Sequence, residues 1–298
     1  MGSGAVAALD AEGACAARAL ARVPRWFEVW TGRLGRFVED SELCRLNLSA
    51  GRPFRASGDL VAALEASLRA ARATGGLVVP TVLPALEAAG YDKSFERLRR
   101  AAARPGPAEG GAWRAIRVDA RRRIIRLRGD VRVDLGGVAK GWAADQATSR
   151  LARLGPALVE VGGDLAISRP QRDGERWPVG VSPPWDGREG DAEPLEILLL
   201  GRGGVATSGR DFRRWRAGGR WQHHIIDPRT GAPARTEVLT ATVVAPTATE
   251  AEVAAKAALI LGPRAGLAFI EARPRLAGLL VLECGRVLRS RRLARLTA

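Results

Sequence analysis

The interleaving of extended and helical segments constrains this 298-residue chain more than any other feature of its sequence. Segments with an apolar residue at every second position, typical of strands, are mixed with segments of helical periodicity. A doubly wound parallel sheet would require a regular βα order, which is absent from this sequence. The sequence therefore predicts an α+β fold, arranged as one large domain or as two lobes.

The individual segments can be placed from their periodicity and their end signals. Helices are predicted at 57–73, 80–89, 139–153, 249–261 and 264–271. Strands are predicted at 130–135, 157–161, 195–200, 222–226, 238–245 and 277–283, with a hairpin formed by 114–119 and 123–128. Loops are expected at 103–112 and 183–193. Thr249 is positioned to cap the helix at 249–261, and Gly262 is positioned to end it.

Composition and charge argue against several functional classes. The net charge is +15, but the basic residues are spread along the chain, so a specific nucleic-acid interface is not expected. No apolar run approaches the roughly 18–20 residues that cross a bilayer, and the first residues lack the pattern of a signal peptide. The sequence therefore predicts no transmembrane segment and a cytoplasmic location. Three scattered cysteines argue against a disulfide framework and against a cysteine zinc site.

Lysine is scarce in a chain that otherwise uses arginine for positive charge. Among 47 lysine and arginine residues, only Lys93, Lys140 and Lys256 are lysines. A compact ammonium and a planar guanidinium are not interchangeable where a particular ion geometry is needed. The three lysines are therefore candidates for a specific role. Histidine is equally rare, since only His223 and His224 occur.

One segment combines residue types suited to binding a phosphate. In 133-VDLGGVAKGWAADQA-147, a predicted strand delivers Asp134, two glycines turn the chain, and a helix begins close to Lys140. The free N–H groups at a helix start, together with a lysine, can neutralise a phosphate. The segment matches neither GxxxxGK(S/T) nor GxGxxG. A plain strand–turn–helix junction explains it equally well.

A second segment carries a candidate base. In 223-HHIIDPRTGAP-233, His224 is a group that can exchange a proton near neutral pH and act as a general base. The alternative is that the whole stretch serves turn formation, because Asp, Pro and Gly each favour a turn. Just upstream, 205-VATSGRDF-212 places Thr207 and Ser208 before another glycine, and a structural role is again the alternative.

Taken together, these segments resemble a known family. The order DLGGVAKG, EVGGDLAI, ATSGRDF and HHIIDPRTG is similar to that of the flavin transferase family ApbE. Upstream, MGSG resembles the family's opening Met-Gly-Thr, and 37-FVEDSELCRLN-47 resembles a segment ending DSELSRLN. Residues 74–95 resemble the family's TGGxFDPTVxPxLxxxGYDxSF segment. The resemblance runs from Met1 to about Glu271. It implies an ApbE-like fold, with two lobes of mixed or antiparallel sheet and packed helices at about 1–110 and 111–298, and a nucleotide cleft between them.

The resemblance also implies an activity and partners. Family members bind FAD and, with a divalent cation that is usually Mg²⁺, cleave its pyrophosphate. FMN passes to a Thr or Ser hydroxyl of a partner protein, and AMP leaves; some members instead hydrolyse FAD to FMN and AMP. We therefore expect an FAD:protein FMN transferase, with FAD pyrophosphatase activity or non-catalytic binding of a flavin nucleotide as alternatives. Relatives often work outside the cytoplasm, which stands against the location expected above.

The resemblance assigns ligand contacts to five residues. Met1 and Phe37 would contact the flavin or the adenine. Asp134 and Lys140 would hold the ligand, with Lys140 facing a phosphate. Ile225 would pack on the bound nucleotide.

The resemblance also assigns the base and the metal ligands. His224 would deprotonate the acceptor hydroxyl, and Gly137 would direct a backbone carbonyl toward the metal. The family reads A-D-x-x-(A/S)-T in its last conserved helix, where the Asp and Thr side chains complete the metal site. The corresponding positions here are Glu252 and Lys256. Glutamate is still a carboxylate that could reach Mg²⁺, whereas a lysine ammonium has no lone pair to offer.

This chain departs from the family at two places. Val78 and Val79 replace a Phe-Asp pair and are expected to line the ligand pocket in its place, and Lys256 replaces a metal ligand. Three outcomes follow for Lys256: it points away while Glu252 and water hold Mg²⁺, its ammonium occupies the metal's place beside Glu252 and faces the pyrophosphate, or the site binds flavin without catalysis. We hypothesise the second outcome, because Lys256 is one of only three lysines.

Overall fold

The computed structural model of the protein describes residues 4–98, 106–108, 111–184, 192–217 and 219–297. Within these residues the α-helices are α1 (Ala14–Ala21), α2 (Val23–Leu34), α3 (Glu42–Asn47), α4 (Gly58–Ala73), α5 (Leu83–Ala88), α6 (Ala139–Leu151), α7 (Ala248–Leu261) and α8 (Pro263–Glu271). The strands are β1 (Ala5–Leu9), β2 (Phe54–Arg55), β3 (Ile116–Asp119), β4 (Ile124–Leu127), β5 (Ala157–Val161), β6 (Asp164–Ile167), β7 (Trp177–Val181), β8 (Glu196–Leu200), β9 (Gly203–Gly209), β10 (Arg214–Ala217), β11 (Arg220–His223), β12 (Ile226–Asp227), β13 (Ala232–Pro233), β14 (Val238–Ala245), β15 (Ala277–Leu282) and β16 (Val287–Arg289). None of these described helices has the length and apolar character that crossing a membrane requires.

Three sequence predictions fall on parts of the chain that are not described. Met1, a predicted ligand contact, lies outside the described residues, and the predicted loops at 103–112 and 183–193 lie partly outside them.

The described chain forms two compact units. The first unit contains Phe27–Ala139 and Arg213–Arg235, and the second contains residues 4–26, Lys140–Phe212 and 236–297. The chain enters each unit more than once. The lobe boundary expected near residue 110 stays a prediction.

A seven-stranded sheet organises the second unit. Its strand order is β1-β5-β6-β9-β14-β15-β16, and every neighbouring pair is antiparallel. Side chains of β7 and β8 pack with Val205 and Val244 on one face. The start of α7 lies over the neighbouring Gly204, where an added Cβ would be 2.2 Å from the backbone nitrogen of Ala248. Because successive strand residues face opposite sides, α7 covers the other face.

The first unit is built around α4 and smaller β elements. Strands β2, β4 and β3 form a three-stranded sheet, and β10 pairs with β11. Helix α4 forms where a helix was predicted and buries an apolar stripe, and Ser57 caps it by accepting a hydrogen bond from the Leu60 N–H at 3.2 Å. The segment predicted as a short second helix forms a 3₁₀ turn at Pro80–Val82 followed by α5. The two units together confirm the predicted α+β class.

The predicted strand at 130–135 is wrong. No strand forms there. The side chain of Asn47 instead supplies the hydrogen bonds that a neighbouring strand would give to Val133. Its Nδ2 donates to the Val133 carbonyl at 2.9 Å, and its Oδ1 accepts from the Val133 N–H at 2.7 Å. The Asp134 N–H donates to the Pro80 carbonyl at 2.7 Å. A buried backbone needs hydrogen-bond partners, but a side-chain amide serves as well as a neighbouring strand. The strand predicted at 222–226 is likewise interrupted, since β11 ends at His223 and β12 begins at Ile226.

The cap predicted for the helix at 249–261 is also wrong. Thr247 is the capping residue, and its hydroxyl accepts a hydrogen bond from the Glu250 N–H at 3.1 Å. Thr249 instead bonds to Asp145, as described below. The helix ends before Gly262, as predicted, and this glycine adopts a φ of 83°.

Candidate functional site

Two buried carboxylates lie beside lysine side chains in the second unit. Asp164 is fully buried, and Glu252 is only 3% exposed. The ammonium of Lys140 donates to Asp164 Oδ2 and lies 3.3 Å from Glu252 Oε1. Lys256 follows Glu252 by one turn of α7, so both side chains leave the same side of the helix. We call Lys140, Asp164, Glu252 and Lys256 the lysine–carboxylate cluster.

A tight hairpin places Asp164 in this cluster. Gly162 and Gly163 form the two-residue connection between β5 and β6, and their φ angles are 55° and 87°. Two successive positive φ angles are typical of a type I′ turn, which glycine adopts without strain. The glycine pair of EVGGDLAI therefore serves a hairpin turn. Asp164 is the first residue after that turn and enters a buried strand position.

A close approach of two helix starts places Lys140 and Glu252. The Gly141 N–H donates to Glu252 Oε2 at 3.0 Å. A Cβ on Gly141 would lie 2.5 Å from the carbonyl oxygen of Ala248, so only glycine permits this packing. One turn further along α6, Asp145 accepts hydrogen bonds from the N–H groups of Ala248 and Thr249 at 2.9 and 3.0 Å. Each helix therefore supplies a carboxylate to the other helix's free N–H groups.

Replacing Gly141 by alanine will lower the free energy of unfolding by about 1–3 kcal/mol, because the new methyl group overlaps the backbone of α7. Chemical denaturation measures this loss. Gly32→Ala is the matched control: Gly32 lies inside α2 with nothing within 4 Å of its added Cβ. That substitution should raise the free energy of unfolding by up to about 1 kcal/mol through helix propensity. Equal stabilities of the two variants would contradict the close packing.

Burial and charge act against each other in the cluster. Burial raises the pKa of Asp164, although the positive charges of Lys140 and Lys256 lower it and the negative charge of Glu252 raises it further. Burial alone would lower the pKa of Lys140, but the two carboxylates more than offset this effect and raise it above its ordinary value. Asp164 Oδ1 is buried without a hydrogen-bond partner within the described residues. Because its pKa is raised, Lys140 is positively charged at neutral pH.

The expected phosphate contact of Lys140 stays a prediction, because the described contacts direct its ammonium to two carboxylates. Glu252 is an expected metal ligand, but its Oε1 lies 3.3 Å from the Lys140 ammonium and its Oε2 accepts the Gly141 N–H. Gly137, the other expected metal ligand, is partly exposed in the turn before α6. Among the residues that the structure describes, no group of three or more His, Cys, Asp and Glu side chains is placed to hold a metal ion.

The first unit contains a stacked arginine beside the predicted ligand residues. The guanidinium of Arg36 lies 4.0 Å from the ring centre of Phe37 and 4.3 Å from that of Tyr91. Its Nε lies 3.1 Å from Asp134 Oδ2, and Asp134 Oδ1 accepts the Gly136 N–H at 2.8 Å. Asp134 thus anchors this arrangement within the unit. Phe37 is 43% exposed, and its contact with the flavin or the adenine stays a prediction.

The two histidines have different environments. His223 is buried, its Nε2 lies 3.0 Å from the Ala234 carbonyl, and its Nδ1 accepts the Ile225 N–H at 3.3 Å. One ring nitrogen therefore donates and the other accepts, which satisfies a neutral imidazole. His224 is half-buried in the break between β11 and β12. Of the two, His224 is the better candidate for proton transfer.

Three other predicted ligand residues are buried in the first unit. Ile225 is 1% exposed, and Val78 and Val79 are similarly buried. Their predicted contacts with a nucleotide stay predictions.

Sequence reasoning missed Asp164, Arg36 and Asp145. Asp164 could have been predicted as a candidate, because a charged residue directly after Gly-Gly begins the otherwise apolar strand DLAI. Arg36 and Asp145 could not have been predicted in this way, since each is one charged residue among many and its hydrogen-bond partners are distant in sequence.

Comparison with known proteins identifies the family. The sequence profile of the ApbE family matches residues 3–280. The chain belongs to the ApbE family. Similar curated proteins are named FAD:protein FMN transferase: one from Klebsiella pneumoniae is 31% identical, with 77% of this chain and 67% of the relative covered. One from Treponema pallidum is 29% identical, with 84% and 73% covered.

Solved structures of ApbE proteins share the fold. The ApbE protein from Thermotoga maritima is 25% identical and superposes with a TM-score of 0.84, covering 100% of this chain and 96% of that one. The flavinyl transferase ApbE from Pseudomonas stutzeri, in its apo form, gives a TM-score of 0.77 at 22% identity, covering 99% of this chain and 96% of its own. The likeness at 22% identity supports the fold alone.

Proposed function

We propose that this ApbE-family chain is an FAD:protein FMN transferase, which moves FMN from FAD to a Thr or Ser hydroxyl of a partner protein. The observation that carries the proposal is the extent of the family match, residues 3–280. This range contains parts of both units, including His224 and the lysine–carboxylate cluster. Curated relatives that carry the transferase name match over 77–84% of the chain.

The proposed reaction joins the acceptor hydroxyl oxygen to the phosphorus of the FMN half of FAD. The pyrophosphate P–O bond to the adenosine half breaks, and AMP leaves with the electron pair. The hydroxyl proton passes to the general base, for which His224 is the candidate, because both ring nitrogens of His223 have backbone partners. Such a transfer depends mainly on positioning and on neutralising the charge of the phosphoryl group.

The residues of the lysine–carboxylate cluster do not fit Mg²⁺, the cation usual in the family. Mg²⁺ takes six oxygen ligands in near-octahedral geometry. Here the Glu252 oxygens already contact Lys140 and the Gly141 N–H, and Asp164 Oδ2 accepts from Lys140. Two lysines also match the two carboxylates in charge, so a bound dication would leave the buried cluster with excess positive charge. We therefore assign no step of the reaction to a metal.

Incubation with FAD will attach FMN covalently to an acceptor protein. The purified protein is incubated with FAD and a soluble extract of cells that produce the protein. The mixture is then separated by denaturing electrophoresis, and the gel is examined for flavin fluorescence. Mass spectrometry of a fluorescent band should show a Thr or Ser heavier by FMN less one water, and chromatography should show an equal amount of AMP. Heat-denatured protein is the control, and AMP release without any labelled band would contradict transfer.

The same assay separates the alternatives. If water replaces the acceptor hydroxyl, free FMN and AMP appear in equal amounts without acceptor, which is FAD pyrophosphatase activity. The second alternative is non-catalytic binding of a flavin nucleotide, which the loss of the family's Phe-Asp pair at Val78 and Val79 favours. In that case intact FAD stays bound and no AMP is released.

A further inference from the structure

The lysine–carboxylate cluster contains its own counter-charges. Asp164 and Glu252 are buried acids, and Lys140 bridges them through one hydrogen bond and one contact of 3.3 Å. A single lysine balances only one of two carboxylates. The second balancing charge is Lys256, which stands one turn from Glu252 on α7 and is partly exposed.

We propose that the Lys256 ammonium takes the position and the role of a divalent cation, so that the cluster binds no divalent metal. The catalytic part of this proposal rests on the proposed function, whereas the metal-binding part does not. In the transferase, Lys256 would then neutralise a phosphate of the substrate directly. Lys256 is partly exposed, whereas the two acids it balances are buried.

Three observations support this assignment. The carboxylate oxygens that a metal would require already have partners, apart from Asp164 Oδ1. One remaining carboxylate oxygen is too few for Mg²⁺, which dehydrates reluctantly and demands octahedral geometry. Finally, an ammonium is a donor only and repels a dication, so Lys256 cannot itself become a ligand.

The assignment predicts that one substitution creates a metal site. Lys256→Thr removes one positive charge, leaves the cluster with an excess carboxylate charge, and adds a hydroxyl oxygen on the same side of α7 as Glu252. Mn²⁺ serves as the probe, because it binds carboxylate and hydroxyl oxygens and its free ion is counted by electron paramagnetic resonance. We expect Lys256→Thr to bind one Mn²⁺ per chain about 10–100-fold more tightly than the wild type.

Lys93→Thr is the matched control. It makes the same chemical change at an exposed residue and should gain no Mn²⁺ binding. Saturable binding of one Mn²⁺ by the wild type, in competition with Mg²⁺, would overturn the proposal. This measurement uses the wild-type protein alone. A folded Lys256→Thr protein that gains no Mn²⁺ binding would overturn it as well.

The activity measurement distinguishes the two proposals. AMP release from FAD by the wild type should be unchanged by EDTA, whereas Lys256→Thr should require added Mg²⁺. If AMP release is absent under all conditions while the Mn²⁺ result holds, the proposed function fails and the metal-binding part of the inference stands. If wild-type AMP release occurs only with added Mg²⁺, the proposed function stands and the inference fails.

Discussion

Replacing Lys140 by methionine will lower the free energy of unfolding by about 3–5 kcal/mol, because it leaves buried carboxylates without their shared counter-charge. Lys140 is bonded to Asp164 and lies 3.3 Å from Glu252, and both acids are buried. Methionine keeps the apolar stem of the side chain and removes only the ammonium and its hydrogen bonds. Urea denaturation followed by circular dichroism measures the loss.

A second substitution separates charge from packing. In the Lys140→Met background, Asp164→Asn removes one of the uncompensated charges and should recover part of the lost stability, so the two changes should be strongly non-additive. Lys93→Met is the control, since Lys93 is exposed and its substitution should change the free energy of unfolding by less than about 0.5 kcal/mol. A Lys140→Met protein as stable as the Lys93→Met protein would show that the ion pairs contribute nothing.

Replacing His224 by alanine will slow FMN transfer by about 10²–10⁴-fold, the usual contribution of a general base. His224 is the histidine in the break between β11 and β12, and His223 is unsuited to the role because its ring nitrogens have backbone partners. The measurement is AMP release from FAD in the presence of the acceptor protein found by gel fluorescence. Binding of FAD should be little changed, since the base acts on the acceptor.

Two further measurements test that role. Imidazole added to the His224→Ala protein should restore part of the rate, which a purely structural histidine would not allow. Gln222→Ala is the control from the same strand end, and it should transfer FMN at the wild-type rate. If His224→Ala also transfers at the wild-type rate, the base lies elsewhere.

Local patterns in the sequence predicted only part of the regular structure, since helices α1, α2 and α3 and strands such as β1, β6, β7 and β9 lie outside the predicted segments. Helix α4 has a capping residue at Ser57 and an apolar stripe, and both features lie within one short stretch of the sequence. The failure at 130–135 has a different origin. Its alternating apolar residues do suit a strand, but the side chain of Asn47, 86 positions away, supplies the pairing. Periodicity reports which side chains are buried and says nothing about which partner satisfies the backbone.

The candidate site was predictable only in part for the same reason. The scarcity of lysine singled out Lys93, Lys140 and Lys256; two of these lie in the lysine–carboxylate cluster, whereas Lys93 is exposed. The contrast between the two adjacent histidines required the structure. The link between Lys140 and Asp164 joins residues 24 positions apart, and the link between Gly141 and Glu252 joins residues 111 apart. Such pairings depend on the tertiary fold. No spacing rule predicts that a lysine at a helix start contacts carboxylates rather than a phosphate.

The reciprocal bonds between the starts of α6 and α7 bear on how this unit folds. Glu252 accepts from Gly141, and Asp145 accepts from Ala248 and Thr249, across separations of 103–111 positions. Closing so long a loop costs chain entropy before any of these contacts forms. Neither helix start can then fray without depriving the other of its partners, so both belong to one cooperative opening unit. The contact of Glu252 with Lys140 is therefore lost only when the two helix starts separate.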